Sequence, residues 1–383
     1  MRVAAAGILL VIAVAGTVKA GILESLEVSA TSQESREVRP GAKRLKAPVD
    51  VSCSAECSAV ARGNVIVDRA NKPSLNLSLK PARSDLPADQ IATLRPRLSR
   101  TGTKRLQNSL DRSGTSAVVE FNVRASDESD ASAEDSTETR LEPGLAVLSR
   151  KVSPDTAFFD AKREPKIRFR FRAPGRTGMR VELRRGRDGA LVRAWNLDAA
   201  RPFVRRRVRW DGITRKGAVG KDGRYSFHLG ESGGKLDRAG GFSYHGHVFP
   251  VAGPHGTRGS IGEFGAPRNG GRAHEGFDIT GDCGTRLVAA RGGKVVRRSF
   301  DGRLYGWFVD IRARKSGRRF FYSHLRGPPP VKKGDRVKTG QTVGEIGQTG
   351  NAASTPCHLH FEVRAGGRPI NPKPELEKWD RWS

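Results

Sequence analysis

From Val49 onward the chain sets apolar and polar residues in short alternating runs. N64-V-I-V67, L75-N-L-S-L79 and A117-V-V-E-F-N-V123 are examples from its first third. Successive side chains of a strand point to opposite faces, so this alternation marks strands with one face buried. Thr103–Leu110 predicts a short helix among them, and residues 49–124 read as a small β-sandwich. The pattern returns in I167-R-F-R-F-R172 and V204-R-R-R-V-R-W210, where the polar partner is arginine. One face of each strand should enter a core while the other is densely cationic. With W210-D-G and K221-D-G as turn signals, residues 145–240 form a second β-module. The third region, 242–371, places glycines between short strands such as K294-V-V296, W307-F-V-D-I311, R319-F-F-Y322 and H358-L-H-F-E-V363. No helix signal is present in it.

Three stretches lack the alternation. Residues 21–48 are polar and read as a linker. Residues 125–144 open with an acidic, Ser/Thr-rich run that has too little apolar surface to offset its chain entropy, so they too read as a linker. Residues 372–383 are left as a tail. At the N-terminus, Met1-Arg2 precedes an apolar run of 16 residues, Val3 to Val18, followed by the small-x-small signal Val18-Lys19-Ala20. A membrane span needs about 20 apolar residues. Residues 1–20 therefore read as a secretory signal peptide, with an uncleaved anchor as the alternative.

Charge then narrows the partners. Lys+Arg 69 against Asp+Glu 40 gives +29 and a sequence pI near 10.9. Such a field favours polyanions: nucleic acid, anionic lipid or an acidic cell wall. Export removes nucleic acid from that set and leaves anionic envelope polymers.

Chemistry concentrates toward the C-terminus, since seven of the eight histidines fall after residue 244. Three phrases stand out: R272-A-H-E-G-F-D-I279, F321-Y-S-H-L325 and C357-H-L-H-F-E362. In a strand, His358 and His360 point to one face, their Cα atoms about 6.5–7 Å apart, with Leu359 and Phe361 entering the core behind them. His274 and Asp278, four apart, also share a face. Gly276 between them costs a helix about 1 kcal/mol relative to Ala and leaves room beside a metal. That disfavours the rival H-E-x-x-H reading, in which Glu275 would be the base. Alternation places Tyr322 and His324 on a common face. A catalytic zinc takes three nitrogen or oxygen ligands and an open position, and His274, Asp278, His324, His358 and His360 supply enough groups for ligands and proton carriers. His245-Gly246-His247 has no matching acid and reads as a strand-edge pair.

These phrases, in this order, resemble the lysostaphin-type (LytM-like) zinc endopeptidases of bacterial cell walls, whose pattern is H-x-G-x-D, then Y-x-H-L, then H-L-H-F-E. The connecting text G284-T-R-L-V-A-A290, G334-D-R-V-K-T-G-Q-T-V-G344 and T349-G-N351 matches as well, so the resemblance spans about 245–371. It implies one Zn²⁺ held by His274, Asp278 and His360, with His324 and His358 as the catalytic pair. It also implies hydrolysis of peptide bonds in peptidoglycan stems or cross-bridges. A second, weaker resemblance links about 160–230 to the immunoglobulin-like module of flagellar hook-capping and cell-surface proteins. The expected fold is mostly β: two small β-sandwich (immunoglobulin-like) modules followed by an antiparallel β peptidase domain of the lysostaphin type. A catalytically silent wall-binding protein, or an activator of another hydrolase, is the alternative. Two departures from the pattern are the long connection between Gly350 and His358, and Cys357 beside a catalytic histidine.

Four cysteines fit an oxidising compartment. Cys53 and Cys57 are close enough to close a small loop. If the first and last active-site phrases converge on one metal, Cys283 and Cys357 converge too, and two disulfides follow.

Overall fold

A computed structural model describes residues 25–382. The expected signal peptide lies outside the described residues. The chain divides into two compact units, Met1–Pro143 and Gly144–Ser383.

In the first unit, a six-stranded sheet and a three-stranded sheet share one core, in which Val65, Val67, Val119 and Phe121 meet Val49, Val51 and Leu94. The helix Arg100–Leu110 closes the core with Leu106 and Leu110, and Ser99 caps it by accepting from the Gly102 amide at 2.9 Å. Cys53 and Cys57 are disulfide-bonded.

Neither expected linker behaves as one. Residues 28–31 and 35–38 are strands, and Leu26, Val38, Leu45 and Ala47 are buried in the core. The acidic stretch forms the strand Ser132–Pro143, paired antiparallel with Thr115–Ser126 from Ser126↔Ser132 to Val118↔Arg140. Backbone pairing does not require apolar side chains. Thr139 and Leu141 alone bury their side chains on this strand, which is enough to fix its register while Glu134 and Glu138 face water and Asp135 accepts from the Ala30 amide at 2.7 Å.

The second unit begins with two sheets. One joins Ala146–Ser153, Lys166–Arg172 and Arg206–Arg209; the other has five strands centred on Thr177–Arg185 and Gly223–Glu231. Ile167, Phe169 and Phe171 pack against Val181, Leu183, Tyr225 and Phe227, making a sandwich. The strand Asp237–His245 belongs to this sandwich and runs through the boundary expected at 240–242.

The arginine stripe is only partly solvent-facing. Arg172 is 2% exposed, with Nε donating to the Gly144 carbonyl at 3.1 Å, so it is a core residue. Arg168, Arg170, Arg207 and Arg209 remain on the outer face.

The rest of the unit is built on an eight-stranded antiparallel sheet. Its central order is Phe277–Thr280, His358–Ala365, Arg318–Leu325, Gly306–Ala313 and Gly293–Asp301. Leu359, Phe361, Phe320, Tyr322, Val309 and Ile311 bury one face. The expected tail is instead the helix Lys373–Asp380, whose Leu376 and Trp379 seal that core. Trp379 also stacks on His247 at 4.6 Å and Trp382 on His245 at 4.1 Å, so the H-x-H pair is structural. Cys283 and Cys357 are disulfide-bonded across a separation of 74 residues. On the chain-entropy view a loop of that length contributes about 4 kcal/mol.

Candidate metal centre

The strand His358–Ala365 lies between Phe277–Thr280 and Arg318–Leu325. Asp278 stands directly opposite His360 on one side and Ser323 on the other. Period-2 geometry sends His358 and His360 to the polar face, while Leu359 and Phe361 are fully buried behind it. His274 reaches the same face from the turn after Arg272–Ala273. Its backbone is held by a bond from its amide to the Ala266 carbonyl at 2.9 Å.

His324 arrives differently. Tyr322 pairs with Phe361, and its ring lies in the core, where the Ala290 amide donates to its hydroxyl at 2.7 Å. Strict alternation would send His324 into that core as well. Instead the register against Gly306–Ala313 slips between Trp307 and Val309, and His324 takes φ +59°. This is a β-bulge, which re-aims the side chain that follows it. Left-handed backbone is unfavourable for a residue with a Cβ, and such strain collects at functional sites. The His324 ring lies 5.0 Å from His358 and 5.9 Å from His360, on the polar face. The expectation that Tyr322 and His324 share a face therefore gives way to the bulge.

His274, Asp278 and His360 converge. His274 Nε2 is 2.8 Å from His360 Nδ1, and Asp278 Oδ1 is 3.1 Å from each. All three are at least nine-tenths buried. The opposite ring nitrogens are already committed as donors. His274 Nδ1–H donates to the Glu263 carbonyl at 2.8 Å, and His360 Nε2–H to Glu362 Oε1 at 3.1 Å. In neutral rings, both facing nitrogens therefore carry lone pairs, aimed at each other and at a carboxylate. Only a cation or a proton relieves that arrangement, and the N,O,N set suits zinc.

The electrostatics agree. Burial opposes charge on Asp278, yet the adjoining His274 and His360 imidazoles outweigh it and hold the carboxyl well below its usual range. Burial also opposes charge on His360, but Asp278 and Glu362 push it up to about 9. This is a site that stabilises positive charge. Gly276 is required beside it: a Cβ there would stand 2.7 Å from His360 Cε1 and from the Phe361 carbonyl.

His324 and His358 border the triangle. Their Nδ1–H groups donate to the Thr349 and Pro356 carbonyls, each at 2.9 Å, which leaves Nε2 as the unprotonated nitrogen of each neutral ring, with Arg258 Nη1 3.4 Å from that of His358. Burial, then repulsion from His360 and His358, holds His324 down at about 3. Burial lowers His358 as well. Both are neutral proton acceptors near pH 7. The surrounding cleft, of about 650 Å³, is lined by Arg258, Arg268, Leu304, Tyr305, Asn351 and Thr355 among others. Glu275 also lines this cleft and accepts from Arg364 at 2.9 Å, outside the His274, Asp278 and His360 triangle.

Residues 272–372 match Peptidase family M23. This segment is an M23 peptidase domain, as its likeness to LytM-like enzymes implied. Among curated relatives, the peptidoglycan DD-endopeptidase ShyC of Vibrio cholerae serotype O1 is 38% identical over 102 residues, 27% of this chain and 22% of that protein. The murein hydrolase activator NlpD of Salmonella dublin is 33% identical over 112 residues, 29% of this chain and 28% of that one. The catalytic domain of lysostaphin from Staphylococcus simulans aligns at 30% identity over 32% of this chain and 92% of that one, with a TM-score of 0.28. The chain spans only 35% and 26% of the lengths of the first two curated relatives it matches. Glu362, and the Glu263 carbonyl just before the matched segment, are supporting partners to which the sequence pattern assigns no role. Glu362 was within reach, since it follows His360 by two and so shares its face.

Proposed function

We propose that the chain is an exported zinc-dependent endopeptidase that hydrolyses peptide bonds in peptidoglycan stems or cross-bridges. The observation that carries this is the buried triangle of His274, Asp278 and His360 with two neutral histidines beside it. Zinc held by these three residues would polarise a peptide carbonyl and bring the pKa of water toward about 7. His324 and His358 each present an unprotonated Nε2. One can take a proton as water attacks, and the pair can return a proton to the leaving amine. The carbonyls of Thr349 and Pro356 fix both rings in the tautomer this needs. Export is supported by the N-terminal apolar run and by two disulfides, which persist outside the reducing cytosol.

Zinc-loaded protein should release peptide fragments from isolated cell walls, and a chelator followed by zinc should abolish and restore that release. Mass spectrometry of the fragments names the bond cut. The likeness to NlpD favours a second reading, activation of another hydrolase. Zinc-loaded protein that digests no wall by itself, yet accelerates a partner enzyme, would establish that reading instead.

The middle sandwich adds an expected partner, an anionic wall polymer. On its outer face Arg168 stands directly between Lys151 and Arg207, and Lys166 is opposite Arg209. Like charges facing each other across strands destabilise a sheet unless counter-ions cover them. Retention of the full chain on cell walls should fall steeply between low and high salt, because a Debye length of about 8 Å at 0.15 M leaves mainly contact-range attraction. Replacing Arg168, Arg170, Arg207 and Arg209 by Gln should remove most of that salt dependence. Unchanged salt dependence would reduce the stripe to a solvated face.

A further inference from the structure

The M23 cleft holds two guanidiniums that the hydrolytic residues do not account for. Arg258 follows the short strand Gly256–Thr257, and Arg268 ends Pro267–Arg268. Arg258 Nη1 lies 3.4 Å from both Asp278 Oδ2 and His358 Nε2. Arg268 Nη2 lies 3.6 Å from the same Asp278 oxygen. Their side chains are 20% and 29% exposed, with the exposed part toward the cleft they line. The turn that carries Arg258 is packed tightly onto Asp278: a Cβ at Gly262 would stand 2.8 Å from Arg258 Cβ and 3.1 Å from Asp278 Cβ.

Arg268 Nη1 adds one bond to the Pro267 carbonyl at 3.3 Å, and these contacts still leave most donors of both guanidiniums unused. A guanidinium has five donors in a fixed fork. Separations of 3.4–3.6 Å are too long for well-formed charge-assisted hydrogen bonds, which run at about 2.7–2.9 Å. Among the described residues no second acid pairs with either guanidinium. Glu362 is held by His360 and Arg364, and Glu275 by Arg364. Asp278 is therefore the single carboxylate facing two arginines, and its other oxygen faces His274 and His360. A metal cation at the triangle would deepen this excess of positive charge.

We propose that Arg258 and Arg268 form a carboxylate-recognising subsite, so that the preferred substrate is a peptide bearing a free carboxylate beside the scissile amide. The proposal rests on the endopeptidase reading above and narrows it to an acidic peptide class. Arg258 bonds the substrate carboxylate at the edge nearest His358. Arg268 reaches it from the opposite strand end, and the planar forks discriminate against a neutral carboxamide, which has one acceptor oxygen and no charge. Both residues position substrate; neither carries a proton in the reaction.

The test uses the full-length zinc-loaded chain and two matched synthetic cross-linked stem peptides. They differ only in a carboxylate or a carboxamide next to the cleaved bond. Wild type should favour the carboxylate by about 10-fold or more in kcat/KM, mostly through KM, the scale of one or two hydrogen bonds to a charged group. In R258Q and R268Q that ratio should fall toward one. R258K, which keeps the charge and loses the fork, should retain part of it. Equal kcat/KM for the two peptides in wild type would overturn the proposal while leaving the endopeptidase reading intact. So would losses in R258Q that are the same for both, since those mark a role on the transition state. If neither peptide is hydrolysed, the endopeptidase reading fails. Calorimetric binding of the same pair then decides the subsite: tighter carboxylate binding that R258Q removes supports it, and equal binding rejects it.

Discussion

Purified His360→Ala protein is expected to contain no stoichiometric zinc and to release no fragments from cell walls. His360 is the centre of the triangle: its Nδ1 faces both His274 Nε2 at 2.8 Å and Asp278 Oδ1 at 3.1 Å. Two remaining protein ligands rarely retain a catalytic zinc. His274→Ala and Asp278→Ala should behave alike. The fold should survive, because the strand is anchored by Leu359 and Phe361 on the other face. Circular dichroism would establish that, and metal analysis of the dialysed protein reads the outcome. Normal zinc content in His360→Ala would reject the ligand set.

His324→Ala and His358→Ala should separate metal binding from chemistry. Both should keep zinc and lose at least about 10²-fold in kcat, the usual scale for general acid–base groups. Neither ring is within the triangle, and each is held through Nδ1 by a backbone carbonyl; the contact of His358 Nε2 with Asp278 Oδ2, at 3.9 Å, is a long one. Zinc-free protein from either substitution would mean that ligand and proton carrier had been interchanged. His324→Ala also removes the ring from a backbone held at φ +59°, so His324→Gly and His324→Asn are useful companions. All three should be equally inactive if the imidazole, and not the bulge, is what matters.

What could be read from the sequence followed from strand periodicity. H358-L-H is legible because residues two apart in a strand share a face, and H274-E-G-F-D because Gly276 signals close approach. The bulge at His324 was not legible, since it depends on a register set by Trp307 and Val309 in a neighbouring strand. Had alternation held, the residue would lie in the core. The acidic strand Ser132–Pro143 escapes the pattern for a related reason: its alternation is mostly between polar residues, with Thr139 and Leu141 as its only buried side chains. Arg172 continues a perfect arginine period yet is buried, because it caps the end of the strand and its Nε turns back to the Gly144 carbonyl. Composition gives a side chain's preference for water, and the end of a strand can override it.

The helix Lys373–Asp380 gives the M23 domain a mechanical connection. On one side Trp379 meets Phe361, the residue between His360 and Glu362, at 6.4 Å. On the other, Lys378 pairs with Asp222 of the arginine-rich sandwich at 2.6 Å, while Trp379 stacks on His247, just past the sandwich's last strand. The helix therefore ties the back of the strand that carries His360 to the sandwich, alongside the pairs that Asp160 makes with Arg314 and Lys338.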